Sequence, residues 1–183
     1  SHIADIIMED VELPADALLG DEEGKGFITA MKSLDNGRIS VGAAATGYAR
    51  RALDSALRYA NERKAFGEPI ANFQLIQQML ADSEIEIYAA EAMMADVTAR
   101  ADAGDRGDKS AKGAEWVSQV CLLKNHATQT MQFCADQGVQ ILGGMGFMRG
   151  TACERIYREV KVMMIGGGAE EIMKELASRQ LGL

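Results

Sequence analysis

Four short stretches of the chain bring together residue types that could hold or act on a ligand. In the first, Arg63-Lys64-Ala65-Phe66-Gly67 is followed by Gln74, which sets a guanidinium, an aromatic face and an amide round one helix-to-helix turn. A planar guanidinium matches a phosphate or pyrophosphate with paired N–H donors, and an amide can bond the edge of a ring. The same residues also make an ordinary helix end whose basic side chains offset the helix dipole. In the second, Gln140-Ile141-Leu142-Gly143-Gly144 runs into Met145-Gly146-Phe147, where bare backbone can approach a ligand closely. Taken alone, a glycine helix cap is the simpler account of it. In the third, Leu34-Asp35-Asn36-Gly37-Arg38 carries an acid and an arginine one turn apart, a spacing that an intrahelical ion pair also explains. The fourth is a triple-glycine turn, Gly166-Gly167-Gly168, before Ala169-Glu170-Glu171-Ile172. The eleven methionines read as adaptable core, and His126 as a structural or solvent-facing residue of a polar helical stretch.

The elements that must position these groups are helical. Phe27, Met31, Leu34, Val41, Ala45, Tyr48, Ala52, Leu57 and Ala60 recur mostly at three-, four- or seven-residue steps, which predicts one long helix. After the Phe66-Gly67-Glu68-Pro69 loop, Phe73, Ile76, Leu80, Ile87, Met94 and Val97 predict a second, stopping at Ala103-Gly104. Its off-stripe residues Leu75, Met79 and Met93 give it a second apolar side, so self-association is expected. A polar loop from Asp105 to Lys112 precedes a third helix, from about Gly113 to Leu142, with Val117, Val120, Leu123, Ala127, Met131, Cys134 and Gly138 on one side. Shorter helices are expected at about Cys153 to Ile165 and Ala169 to Leu181. The fold class is therefore all-α, an up-and-down bundle of about five helices, three of them long. Ile6, Met8, Val11 and Leu13, ended by Pro14, predict a short β remnant at the N-terminus. The chain opens inside that strand-like segment without a start methionine, which points to the C-terminal part of a longer polypeptide.

Composition narrows the function classes. A formal charge of -8 argues against nucleic acid, because phosphate backbones call for clustered Lys and Arg. Three widely spaced cysteines and two histidines in no ligand-like spacing support neither a disulfide framework nor a metal site. A reducing cytoplasm fits best. No uninterrupted apolar run is long enough to span a bilayer, so no membrane span is expected.

Together, and in this order, Arg63 to Gly67, Gln74, Gln140 to Gly144 and Ile165 to Ile172 resemble the acyl-CoA dehydrogenases over essentially the whole chain. The resemblance is to their C-terminal helical domain, expected here over residues 21–183, with residues 1–20 as the end of the family's middle β-domain and a linker. It implies FAD as cofactor, α,β-dehydrogenation of an acyl-CoA thioester, an electron-transferring flavoprotein or similar acceptor, and a homotetramer. By the same resemblance, Arg63 and Phe66 would meet the FAD of a neighbouring subunit and Gln74 would bond it. Gln140, Ile141, Leu142, Gly143 and Gly144 would line its pyrophosphate and adenosine side, and Ala169, Glu170 and Glu171 would reach the flavin's adenosine half. Asp35, Asn36, Gly37 and Arg38 would lie beside the acyl-CoA, and Gly168 would contact its thioester region.

One feature departs from the pattern. The family's glutamate base aligns with Gly167, and its alternative place in long-chain and isovaleryl relatives, directly before the arginine of the first helix, is Gly37. Neither position carries a carboxylate, and a positioned general base is worth about 10²- to 10⁴-fold in rate. Asp35 and Glu170 are the nearest carboxylates in sequence. Asp35 is two residues from the helix position, about 200° round the helix, and is expected to point away. Glu170 opens the last helix, where the dipole favours its charge. A glutamate restored at Gly167 is the expected rescue. A homologue that keeps FAD and assembly but has lost the base, or a flavin monooxygenase that needs none, are the competing readings. Ala152-Cys153, where relatives often show proline, and a longer Gly104 to Gln140 segment are smaller departures.

Overall fold

The computed structural model describes residues 3–20, 22–108 and 110–183. Among them lie three long helices, α1 (Gly26–Glu62), α2 (Gln74–Asp105) and α3 (Ala114–Leu142), then α4 (Gly144–Phe147), α5 (Ala152–Ile165) and α6 (Glu170–Gln180). A two-residue pair, β1 (Lys64–Ala65) and β2 (Glu68–Pro69), forms an antiparallel hairpin between α1 and α2. The five expected helices are present, with the single turn of α4 added after the Gly143 break. Among the described residues no helix is long and apolar enough to cross a membrane.

The central helix is α3, which packs on α1, α2, α5 and α6. Its inward stripe, Val120, Leu123, Ala127, Met131 and Cys134, is fully buried or nearly so. Facing it, α1 presents Ala45, Ala49, Ala52, Ala56 and Ala60, small side chains that let the two axes come close. Two glycines mark close packing around α3. A Cβ on Gly138 would sit 2.8 Å from Cys153 Sγ, and one on Gly42 3.3 Å from Leu123 Cγ. Cys153 therefore fills the space left by Gly138, and its thiol donates to Ala52 O. Trp116 closes the loop end of the bundle, its indole N–H donating to Val97 O at 3.1 Å. In the loop before it, the Lys112 stem lies over Gly104. At the start of α5, Thr151 Oγ1 accepts from the Glu154 N–H, a side-chain cap of the kind that fixes a helix start.

The N-terminal expectation needs correction. Residues 3–14 form no strand, and the only sheet among the described residues is β1–β2. Ile3, Ile6, Met8, Val11 and Leu13 are exposed, so nothing supplies either a sheet neighbour for their backbone or an apolar face for their side chains. Ser1 and His2 of the same expected remnant lie outside the described residues. The first nine residues of α1 are likewise exposed: Phe27, Ile28, Met31 and Leu34 continue the apolar pattern without being covered.

Candidate functional site

At the end of α1 the chain leaves the helix at Arg63 and turns through the β1–β2 hairpin. Phe66 and Gly67 form its tip with φ of 52° and 96°, the left-handed pair that a two-residue hairpin turn needs. Phe66 is the unusual member: a bulky residue in a region that glycine prefers, 98% exposed, with the Phe73 ring edge-on at 6.1 Å. Across from the hairpin, α3 ends at Gly143, whose φ of 57° admits the sharp entry into α4. The two ends meet. Arg63 and Ile141, Leu142, Gly143 and Gly144 line one cleft of about 530 Å³, together with Tyr59, Ile70 and Met148. The exposed Arg63 guanidinium has no side-chain partner among the described residues, while its backbone is fixed by Tyr59 O and by the Ile70 N–H. A positioned backbone carrying an uncommitted cation beside glycine main chain is a donor set suited to a phosphate ester. Gln74, Gln140 and Phe66 are exposed around this end.

The second region lies near the other end of α1. Arg38, only 6% exposed, donates from Nη1 to Asp35 Oδ1 at 2.7 Å and from Nε to Gly167 O at 3.0 Å. It therefore ties the first helix to the triple-glycine turn, 129 residues away. From α3, Lys124 reaches the same turn: fully buried, its ammonium donates to Met164 O at 2.5 Å and Gly168 O at 2.7 Å. Burial, with Arg38 as a further cause, holds the Lys124 ammonium below its ordinary pKa, while Glu170 and Glu171 oppose that shift. Asn125 donates to Glu170 O at 3.0 Å, fixing the start of α6. Asp35 and Asn36 also face a separate cleft of about 410 Å³ shared with Lys32, Lys112 and Trp116.

The glycines of this region differ in what they tolerate. Gly167 has room for a Cβ, with Arg38 Cγ at 3.7 Å, but its φ of +74° strains any L residue. Gly168 has neither, since φ is +121° and a Cβ would lie 2.4 Å from Met173 Cε. Gly37 is helical and faces open space. The expected rescue at Gly167 thus meets a backbone obstacle that Gly37 does not.

The structure gathers Arg63 with Ile141 to Gly144, and Asp35 and Arg38 with Gly167 and Gly168. The two expected substitutes for the base are both engaged elsewhere. Asp35 is tied up by Arg38, and Glu170 accepts through Oε2 from Gln129 at 2.9 Å on the α3 side, while its buried Oε1 has no hydrogen-bond partner among the described residues and no side chain caps α6. Ala169 is the residue before α6, and Glu171 is exposed. Sequence reasoning missed Lys124 and Asn125. The signal was there: Cys121, Lys124, Thr128 and Met131 follow three-, four- and three-residue steps, which put an ionisable group at an inward position.

Comparisons with known proteins give the family. The family model described as "Acyl-CoA dehydrogenase, C-terminal domain" matches residues 24–182. A probable acyl-CoA dehydrogenase of Bacillus subtilis is 41% identical over 181 residues, which cover 99% of this chain and 45% of the relative. A caffeyl-CoA reductase-Etf complex subunit of Acetobacterium woodii is 38% identical over 179 residues, 97% of this chain and 44% of the relative. Among solved structures, an acyl-CoA dehydrogenase complexed with FAD from Bacillus anthracis superposes with a TM-score of 0.88 at 34% identity, covering 96% of this chain and 32% of that one. The chain belongs to the acyl-CoA dehydrogenase family, as its C-terminal helical domain. It spans under half the length of the relatives it matches.

Proposed function

We propose that the full-length protein is an FAD-dependent acyl-CoA dehydrogenase that introduces an α,β double bond into an acyl-CoA thioester, with residues 1–20 leading out of a preceding β-domain and residues 21–183 supplying the helical domain. The observation that carries this reading is the pairing of two prepared regions: the Arg63 and Gly143–Gly144 cleft, and the glycine turn held by Arg38 and Lys124. Arg63 and the backbone of Gln140 to Gly144 would hold the FAD pyrophosphate and adenosine side, with Phe66 and Gln74 against the rest of the cofactor. Bound FAD supplies the two-electron acceptor. Asp35, Asn36 and Arg38 would border the acyl-CoA, and Gly168 would meet its thioester. Ala169, Glu170 and Glu171 would lie by the adenosine half of a second FAD.

The length of α1 supports an oligomer. Arg38 and Arg63 are 25 residues apart, roughly 37 Å along one helix, too far for both regions to serve one extended cofactor without a neighbouring copy. Two copies sharing each FAD, paired again as a tetramer, satisfy that geometry. The reductase-Etf relative supports an electron-transferring flavoprotein or similar acceptor as partner.

Glycine at both base positions favours a second reading, a homologue that binds FAD and assembles but dehydrogenates slowly. Purified full-length protein separates the two. It is expected to be yellow, and its flavin absorbance is expected to bleach anaerobically with at least one of a panel of straight- and branched-chain acyl-CoAs. Yellow protein that no acyl-CoA bleaches supports the second reading, and colourless protein that takes up no FAD ends both.

A further inference from the structure

The geometry points to Lys124 as a positioning residue: its ammonium, rather than its bulk, staples the end of α5 to the start of α6 and so sets the Gly166–Gly168 turn. That this turn faces an acyl thioester rests on the function proposed above; the staple itself does not. Fully buried lysines are uncommon unless paired, and among the described residues no carboxylate forms an ion pair with Lys124. A methionine would fill the same space without the cost of desolvating a charge. What methionine could not do is donate. Met164 O belongs to the last turn of α5, where carbonyls lack helical partners, and Gly168 O lies just before α6. Lys124 satisfies both from a third helix.

Within itself the turn has only main-chain bonds, the Gly166 N–H donating to Val162 O at 2.8 Å and the Gly168 N–H to Ile165 O at 3.1 Å, among the described residues. Gly167 and Gly168, at φ of +74° and +121°, have no side chains to pack, and outside contacts must select one conformation from the many that glycine can adopt. Arg38 grips Gly167 O from α1 and Lys124 grips Gly168 O from α3, so consecutive carbonyls are drawn inward by two cations on different helices. Each such bond polarises its peptide unit and strengthens the N–H on the other side. For Gly168 O that is the Ala169 N–H, which has no backbone acceptor among the described residues. Lys124 therefore fixes the position of the turn and sharpens the Ala169 N–H, one of two turn donors, with the Gly167 N–H, that have no backbone acceptor among the described residues.

The test uses full-length, FAD-loaded protein carrying Lys124→Met, with amide hydrogen exchange read by mass spectrometry and butyryl-CoA and octanoyl-CoA affinity read by calorimetry. Loss of two charge-assisted bonds is expected to speed exchange across residues 164–170 by about 10- to 100-fold and to weaken acyl-CoA binding about tenfold, with residues 85–97 of α2 unchanged. Lys124→Gln, which keeps one neutral donor, is expected to fall between, and it takes over the test should the methionine variant not fold. Unchanged exchange in the neutral variants would overturn the proposal, because bulk would then suffice. Faster exchange with unchanged acyl-CoA affinity would overturn its functional half. Failure of the unmutated protein to bind either acyl-CoA would instead count against the proposed function, and the exchange measurement would still decide the staple.

Discussion

The two ends of α1 use the same residue types in opposite ways. At the hairpin end, Arg63 and Phe66 stand free, one without a side-chain partner among the described residues and the other almost wholly exposed in a strained turn conformation. At the turn end, Arg38 and Lys124 are buried and spend their donors on backbone carbonyls far away in sequence. A polar group kept free in a cleft has its partner still to come, and the strain at Phe66 is the kind that persists where a ligand is met. A polar group committed inside the protein fixes a backbone position instead. The hairpin end thus leaves its cation and its ring free, and the turn end holds main chain in one place.

Restoring a base tests the turn end most severely. Gly37→Glu, on a helical backbone with open space, is expected to raise acyl-CoA-dependent flavin reduction by up to about 10²- to 10⁴-fold, whereas Gly167→Glu gains little because its φ resists a side chain. Stopped-flow bleaching of the flavin checks both, and a larger gain at Gly167 would reverse the ranking of the two glycines.

Breaking the hairpin end should cost affinity without costing the fold. Arg63→Ala is expected to weaken FAD binding by about 2 to 3 kcal/mol, the scale of a charge-assisted bond to phosphate, with an unchanged circular dichroism spectrum. Full FAD retention after dialysis would reduce Arg63 to a helix-end cation. The complementary change, Asp35→Asn, leaves Arg38 buried without its carboxylate. It is expected to lower unfolding stability by about 2 kcal/mol, less than for a fully buried pair because the Asp35 side chain is partly exposed. Urea midpoints read that loss. The smallest expected effect is that of Phe66→Ala on stability, within about 0.5 kcal/mol for so exposed a side chain, alongside measurably weaker FAD retention. A large loss of stability there would make Phe66 a structural residue and erase the contrast between the two ends.

The helices were legible in the sequence because burial against one core imposes a 3.6-residue rhythm, and α1, α2 and α3 run close to where their apolar stripes predict. The glycine breaks were legible as well, since a left-handed φ calls for that residue at Gly143, Gly167 and Gly168. The same rhythm misled at the start of α1, where Phe27, Met31 and Leu34 keep the pattern without a described partner to cover them. Local spacing also put Arg38 with Asp35, but nothing local linked Arg38 to Gly167 or Lys124 to Gly168. Those bonds depend on how α1 and α3 cross beneath the last turn, and contacts spanning 129 and 44 residues leave no periodic trace. The sequence by itself determined the helices, their breaks and the absence of a glutamate at either base position. Tertiary structure alone decided which carbonyls the buried cations hold, and which of the two empty glycine positions could accept a side chain, because both depend on backbone torsion and on neighbours brought together only by folding.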